Sequence, residues 1–272
     1  QEPYIQCGDS GFYFLDGHWQ SYPFPGNVFV TSENRALHSL VVETYAIYRH
    51  QNVVRSGAEV TQIGRAGSNR YRDRDCTLLL ADDNQIHGFY IADDGVVRHA
   101  YRSGLSWITE DIHIMSGGNS SAVAAVKVND TFHCVVFDEE YRSMKHIQNA
   151  SGEWVSEVID TELQYSRYKC FDMDVQDNCH LVYSDAADVM VYYMTDKTGE
   201  WQTIPLGHFP GITNAPISLN ADGPVIIGLY DPDQFQICIF RESGDQFIRS
   251  NEPCEYVYAL NVIMTDPGVF YY

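Results

Sequence analysis

The chain has 272 residues, 44% of them hydrophobic and 20% charged, which is enough apolar material for a sizeable core and too much for intrinsic disorder. Its 37 acids against 17 bases leave a net charge of −20, which repels a phosphate backbone and argues against nucleic-acid binding. The longest apolar run, Pro224-Val-Ile-Ile-Gly-Leu-Tyr230, has the length of a strand and falls short of the ~18 residues of a membrane helix, so no membrane insertion is expected.

In chain order, residues 1–10 are left over, to cover or extend the sheet that follows, and Phe12–Asp16 and His18–Phe24 read as two strands. The second of these begins a repeat. Gly17-His-Trp19-Gln-Ser-Tyr-Pro-Phe24 returns almost unchanged as Gly199-Glu-Trp201-Gln-Thr-Ile-Pro-Leu206. Gly104-Leu-Ser-Trp107 and Gly152-Glu-Trp154 lie between them, and Gly57-Ala-Glu59 and Gly244-Asp-Gln-Phe247 are copies without the Trp. The equivalent positions 19, 59, 107, 154, 201 and 247 are 40, 48, 47, 47 and 46 residues apart. A second landmark keeps the same period. His38, His87, His133 and His180 each open a short apolar stretch that ends in an acid, and Ile226–Asp231 is a fifth copy without the histidine. Turn-forming pairs precede the later stretches: Asp83-Asn84, Asn129-Asp130, Asp177-Asn178, Asp222-Gly223 and Pro267-Gly268.

Each unit therefore reads as four short strands. In the unit from Tyr168 they are Cys170–Val175, Cys179–Ser184, Val189–Thr195 and Glu200–Leu206. Asn261–Tyr272 supplies only strand one, a turn and strand two, and Phe12–Phe24 supplies strands three and four. The expectation is a single all-β domain over 1–272, a six-bladed β-propeller whose last blade is shared between the chain ends, leaving fewer open sheet edges. The chain thus resembles the Trp-containing propeller repeats that include sialidase-like and lectin-like propellers. The resemblance is architectural. The sialidase box Ser-x-Asp-x-Gly-x-x-Trp is approached by Thr195-Asp-Lys-Thr-Gly199-Glu-Trp201, with Asp and Trp each one place early, and by Arg102-Ser-Gly104-Leu-Ser-Trp107, without the Asp.

Four features carry candidate chemistry. The repeated histidines read as packing and hydrogen-bonding within their own blades, because a zinc or copper site would need several to converge. The tryptophans read as packing between blades or as platforms for the apolar face of a sugar. Asp94, Asp138, Asp185 and Asp231 follow the second strands, where solvated turns or a calcium site would place oxygen ligands. The link from Gly64 to Asp75 concentrates Arg65, Arg70, Arg72 and Arg74, and Tyr165 and Arg167 lie in the corresponding link two blades on. Guanidinium forks there would receive a carboxylate, sulfate or phosphate, or salt-bridge with Asp73 and Asp75.

No Gly-x-Ser-x-Gly, His-Glu-x-x-His or Gly-rich phosphate loop is present. The expected function is a non-catalytic recognition module for a glycan or an extracellular protein, with no cofactor unless calcium. The alternative is a polysaccharide hydrolase or lyase with an axial pocket and the arginine-rich loop as its anion site. Sequons at Asn119, Asn129 and Asn149, scarce lysine and abundant tyrosine favour a secreted or cell-surface glycoprotein. A start at Gln1 is expected of a chain whose signal peptide has been removed or whose sequence has been trimmed. Seven cysteines without a CxxC pair suggest disulfides, with at least one thiol free or paired between chains; the alternative is a cytosolic protein whose cysteines are buried as small hydrophobes.

Overall fold

The computed structural model describes backbone at residues 4–7, 10–15, 18–23, 29–31, 36–43, 46–53, 57–64, 262–265 and 268–271. It describes 76–254 except 82–84, 93, 104–105, 116–119, 139–141, 162–165, 175, 186–188, 211–214 and 220–223, with no side chains at 76, 78, 80, 120–122 and 166–170. The described residues form only antiparallel sheets, with no helix. The chain divides into two compact units, 1–127 and 128–272, with the division inside β12.

The first unit opens with a three-stranded sheet of β1 (Tyr4–Cys7), β2 (Ser10–Leu15) and β3 (His18–Pro23). Within the leftover residues 1–10, Tyr4–Cys7 form a strand that pairs with Ser10–Tyr13 and so extends the sheet of β2 and β3. Two four-stranded sheets follow: β4 (Phe29–Thr31), β5 (Ala36–Glu43), β6 (Ala46–Val53), β7 (Gly57–Gly64), then β8 (Cys76–Leu80), β9 (Ile86–Ile91), β10 (Val96–Ser103), β11 (Ser106–Ile114). The fourth sheet consists of β12 (Ser120–Val128), β13 (Thr131–Asp138), β14 (Ser143–Gln148) and β15 (Val155–Asp160). The fifth is β16 (Ser166–Met173), β17 (Cys179–Asp185), β18 (Met190–Thr195) and β19 (Gln202–His208). The sixth is β20 (Ile217–Ser218), β21 (Ile226–Asp231), β22 (Gln236–Ser243) and β23 (Gln246–Pro253). β24 (Val262–Thr265) and β25 (Gly268–Tyr271) form a separate two-stranded ladder.

The strands sit within a few residues of their expected places because local chemistry sets the turns. Asn129 and Asp177 adopt left-handed backbone (φ 52° and 63°), which Asn and Asp tolerate better than most residues. Burial grades across the third to sixth sheets. The second strands, β9, β13, β17 and β21, are buried on both faces almost throughout, so their sequences run apolar without alternation. The fourth strands, β15 and β23, are mostly exposed and carry polar residues, as suits a free sheet edge. Faces of neighbouring sheets pack on each other. Val182, Val191 and Tyr193 of the fifth sheet share one core with Ile227, Leu229 and Phe240 of the sixth.

The fourth strands carry a recurrent bulge. The register between third and fourth strands shifts after Ile47, Val97, Met144 and Val191, leaving Ile63, Ile112, Ile159 and Leu206 unopposed. Each is apolar, and Ile112 and Leu206 are buried within otherwise exposed strands. The extra residue bends the strand and turns one side chain inward. The sixth sheet runs from Gln236↔Pro253 to Ser243↔Gln246 without a shift.

Candidate functional site

A histidine on the second strand and a side chain on the third strand lie on one face, two residues apart in register, which makes them diagonal neighbours. In the third sheet, His87 Nδ1 lies 2.8 Å from His99 Nε2, and His99 Nδ1 lies 2.6 Å from Glu110 Oε1. In the fourth, His133 Nδ1 lies 3.1 Å from His146 Nε2, and His146 Nδ1 lies 3.0 Å from Glu157 Oε1. The glutamate stands directly across the ladder from the second histidine in both sheets. In the fifth, Tyr193 replaces the second histidine: its hydroxyl is 2.6 Å from His180 Nδ1, and His180 Nε2 is 3.2 Å from Asp174 Oδ2.

The acid fixes the direction of each chain. A carboxylate only accepts, so His146 Nδ1–H donates to Glu157, and His146 Nε2 accepts from His133 Nδ1–H. Burial holds His99 below the ordinary histidine range although Glu110 pulls the other way. Burial, with His146 beside it, lowers His133 to about 4. Burial also lowers His180 against the pull of Asp174. These rings are therefore neutral near pH 7.

The fourth and fifth sheets meet at the end of one such chain. Trp201, just before β19, donates Nε1–H to Glu157 Oε1 at 3.2 Å and sets its ring edge-on to His146, with centroids 5.6 Å apart at 67°. Tyr193 and Phe247, the equivalent positions one repeat later, meet at 5.0 Å and 71°. The tryptophan position thus packs on the neighbouring sheet, yet Trp201 stays partly exposed and the Glu157 side chain is 54% exposed. Glu157 Oε1 takes both hydrogen bonds, and none among the described residues uses Oε2. Cys179 Sγ approaches the same histidine from the fifth sheet, 3.9 Å from His146 Nε2.

The sequence-predicted residues fare unevenly. Arg65, Arg70, Arg72, Arg74, Tyr165 and Asn119 lie outside the described residues, as does the side chain of Arg167, which sits in β16. Asp94 is not a free ligand: it pairs with Arg98 at 2.5 Å and accepts from Val96 N–H. Asp138, Asp185 and Asp231 end their strands rather than lying in solvated loops, and Asp138 and Asp231 are buried. Lys145 Nζ stands 3.4 Å from Asp138, and Asp231 accepts from Asp233 and Gln234 N–H, so these carboxylates already serve the fold. Among the described residues, one group of three or more potential metal ligands converges, His133, His146 and Cys179, and none of the four aspartates belongs to it. Asn129 is exposed, its Nδ2 3.3 Å from Asp177. Asn149 accepts from Phe132 N–H through Oδ1. The four described cysteines, Cys134, Cys179, Cys238 and Cys254, are free thiols, so the expected disulfides do not involve them. Cys7, Cys76 and Cys170 have no described side chains.

Sequence reasoning missed His99, His146, Glu110, Glu157 and Cys179. A signal was present. His87 and His133 are followed after 12 and 13 residues by the second histidine, and after 11 more by the glutamate.

No protein-family model matches the chain, and no curated protein matches it. Solved structures do. The BP39L lectin from Burkholderia pseudomallei superposes with a TM-score of 0.64 at 12% identity, over 86% of this chain and 73% of that one. The SapL1 lectin in complex with alpha methyl fucoside gives 0.58 at 12% identity, over 92% and 88%. The ulvan lyase of polysaccharide lyase family PL25, bound to a glucuronate–sulfated rhamnose unit, gives 0.53 at 14% identity, over 83% and 71%. The chain is similar in fold to propeller-like lectins, as its repeat pattern led one to expect.

Proposed function

We propose that the protein is a recognition module that binds a glycan where the fourth and fifth sheets meet, at Trp201, Glu157 and His146. One observation carries the reading: a partly exposed indole and a carboxylate with a free oxygen stand side by side on a rigid base. Sugar recognition needs an aromatic face for the C–H face of the ring and a fixed acceptor for its hydroxyls. Trp201 offers the first and Glu157 the second, with His146 holding Glu157 from below. The fold shared with two lectins supports the same reading.

The proposal includes a single six-bladed domain with its last blade shared between residues 12–24 and 259–272. It also includes a secreted or cell-surface location, glycosylation at the sequons, and the arginine-rich link as a second contact for anionic groups. An extracellular protein is the other partner class. The ulvan lyase likeness favours one rival, a polysaccharide-active enzyme that holds an acidic sugar on that link.

A glycan array with and without calcium tests the reading, with alpha methyl fucoside as the first soluble probe. Binding that falls at least tenfold in Glu157→Gln, with the melting temperature kept, is the expected result. Unchanged binding in that variant, or no glycan retained on the array, overturns it. Shortening of an acidic polysaccharide by the parent protein would establish the enzyme.

A further inference from the structure

We propose that His133, His146 and Cys179 form a buried site for one thiophilic cation, of the zinc(II) or copper(I) class, between the fourth and fifth sheets. Their ligand atoms all lie within 4.8 Å of one another. His133 Nδ1 to His146 Nε2 is 3.1 Å, and Cys179 Sγ to His146 Nε2 is 3.9 Å. Zinc bonds of ~2.0–2.1 Å to nitrogen and ~2.3 Å to sulfur, at tetrahedral angles, put ligand atoms roughly 3.3–3.7 Å apart. Two of the three pairs need shifts of a few tenths of an ångström, and the third, His133 with Cys179, closes from at most 4.8 Å by about 1 Å, so side-chain rotation is needed to seat the ion.

Three further features fit. Glu157 accepts the Nδ1–H of His146 and so leaves Nε2 as the lone-pair atom, the carboxylate–histidine–metal arrangement that orients a ligating ring. Asp196 accepts from Cys179 N–H at 2.6 Å; burial and then the negative field of Asp196, Glu157 and Asp174 push the free thiol up, and that same field favours a cation in its place. The third ligand is particular to this place in the repeat. The position just before the second-strand landmark is Cys179 here but Leu37, Ile86, Phe132 and Val225 in the other repeats, so the otherwise similar His87–His99 pair has no such thiol in its repeat pattern. Two imidazoles and a thiolate suit zinc or copper(I) and suit calcium or magnesium poorly. Three ligands complete a trigonal copper(I) site and leave zinc one open position.

Binding is balanced as follows. The Cys179 S–H bond breaks, a sulfur–metal bond forms, and one proton leaves to solvent. His133 moves its proton from Nδ1 to Nε2 without net loss, and no oxidation state changes.

The test uses the full chain, stripped with a chelator in mild denaturant, refolded, and equilibrated with Zn2+, with Co2+ as the spectroscopic substitute, or with Cu+ kept reduced without air. The expected result is one metal per chain with Zn2+ or Cu+, and a thiolate-to-cobalt charge-transfer band with Co2+. Both fall at least tenfold in Cys179→Ser, a near-isosteric change that circular dichroism should show folded, while His99→Gln keeps them. Refolded parent protein that holds no metal, or Cys179→Ser that holds it as well as the parent, overturns the site. Glycan binding is not read in this assay, so its outcome is independent of the glycan site proposed above.

Discussion

Burial lowers the pKa of His99, His133 and His180, and the fold turns that shift into pH dependence. His99 is almost wholly buried between Phe89 and Tyr101, and its pKa is lowered by that burial. Below the ordinary histidine pKa of about 6.5, the unfolded chain takes up a proton that folded His99 resists. Its contribution is therefore present above pH 6.5 and is lost as pH falls below it. Urea denaturation at pH 7 and pH 5 should show the parent losing more stability on acidification than His99→Gln. Equal losses would place the titration elsewhere. A second residue-level expectation concerns Tyr183, whose hydroxyl donates to Asp160 of the fourth sheet at 2.6 Å. Tyr183→Phe removes a hydrogen bond to a charged acceptor while keeping the ring, and should cost about 1.5–3 kcal/mol in chemical denaturation.

Within an element, the fourth strands resolve a conflict between a polar edge and an apolar anchor. β19 is exposed along most of its length, and its bulge after Gln202–Pro205 turns Leu206 into the core shared with Phe209 and Phe240. Gly207 follows at φ 138°, where a side chain would be strained, and a Cβ there would stand 3.2 Å from the Phe209 ring. Leu206→Ala should cost about 2–4 kcal/mol, the range for truncating a buried leucine. Ile248→Ala in β23, where the register has no bulge and the side chain is 62% exposed, should change stability by less than about 0.5 kcal/mol. Equal effects from both changes would deny the bulge its anchoring role.

Over the whole molecule, a chain of net charge −20 has to be held together against its own repulsion. In the second unit the fourth and fifth sheets are tied by Tyr183 to Asp160, and the fifth and sixth by Lys197 Nζ to Glu242 at 2.8 Å and by a common apolar core. β24 packs on β20 and β21 in the same unit. Removal of residues 260–272 strips that cover and, on the shared-blade proposal, opens two sheet edges at once. The truncated chain should melt at a markedly lower temperature with less cooperativity. A truncated chain that melts like the parent contradicts the shared blade.

The sequence by itself determined the repeat, the four-strand unit and most strand positions. These depend on contacts close along the chain: Asn129-Asp130 and Asp177 can turn, Cys179–Asp185 is apolar on both sides, and Trp201 recurs a fixed distance from Trp154. Local chemistry of that kind can be read in any window of a few residues. It could not say that the repeated histidines meet a second histidine and a glutamate, because His133, His146 and Glu157 join only through the register of three strands. Nor could it give the sheet-to-sheet neighbours. Cys179 reaches His146 across 33 residues, and Trp201 reaches Glu157 across 44. Those distances are closed by packing of one sheet face on the next, and packing is a property of the folded chain rather than of any segment of it.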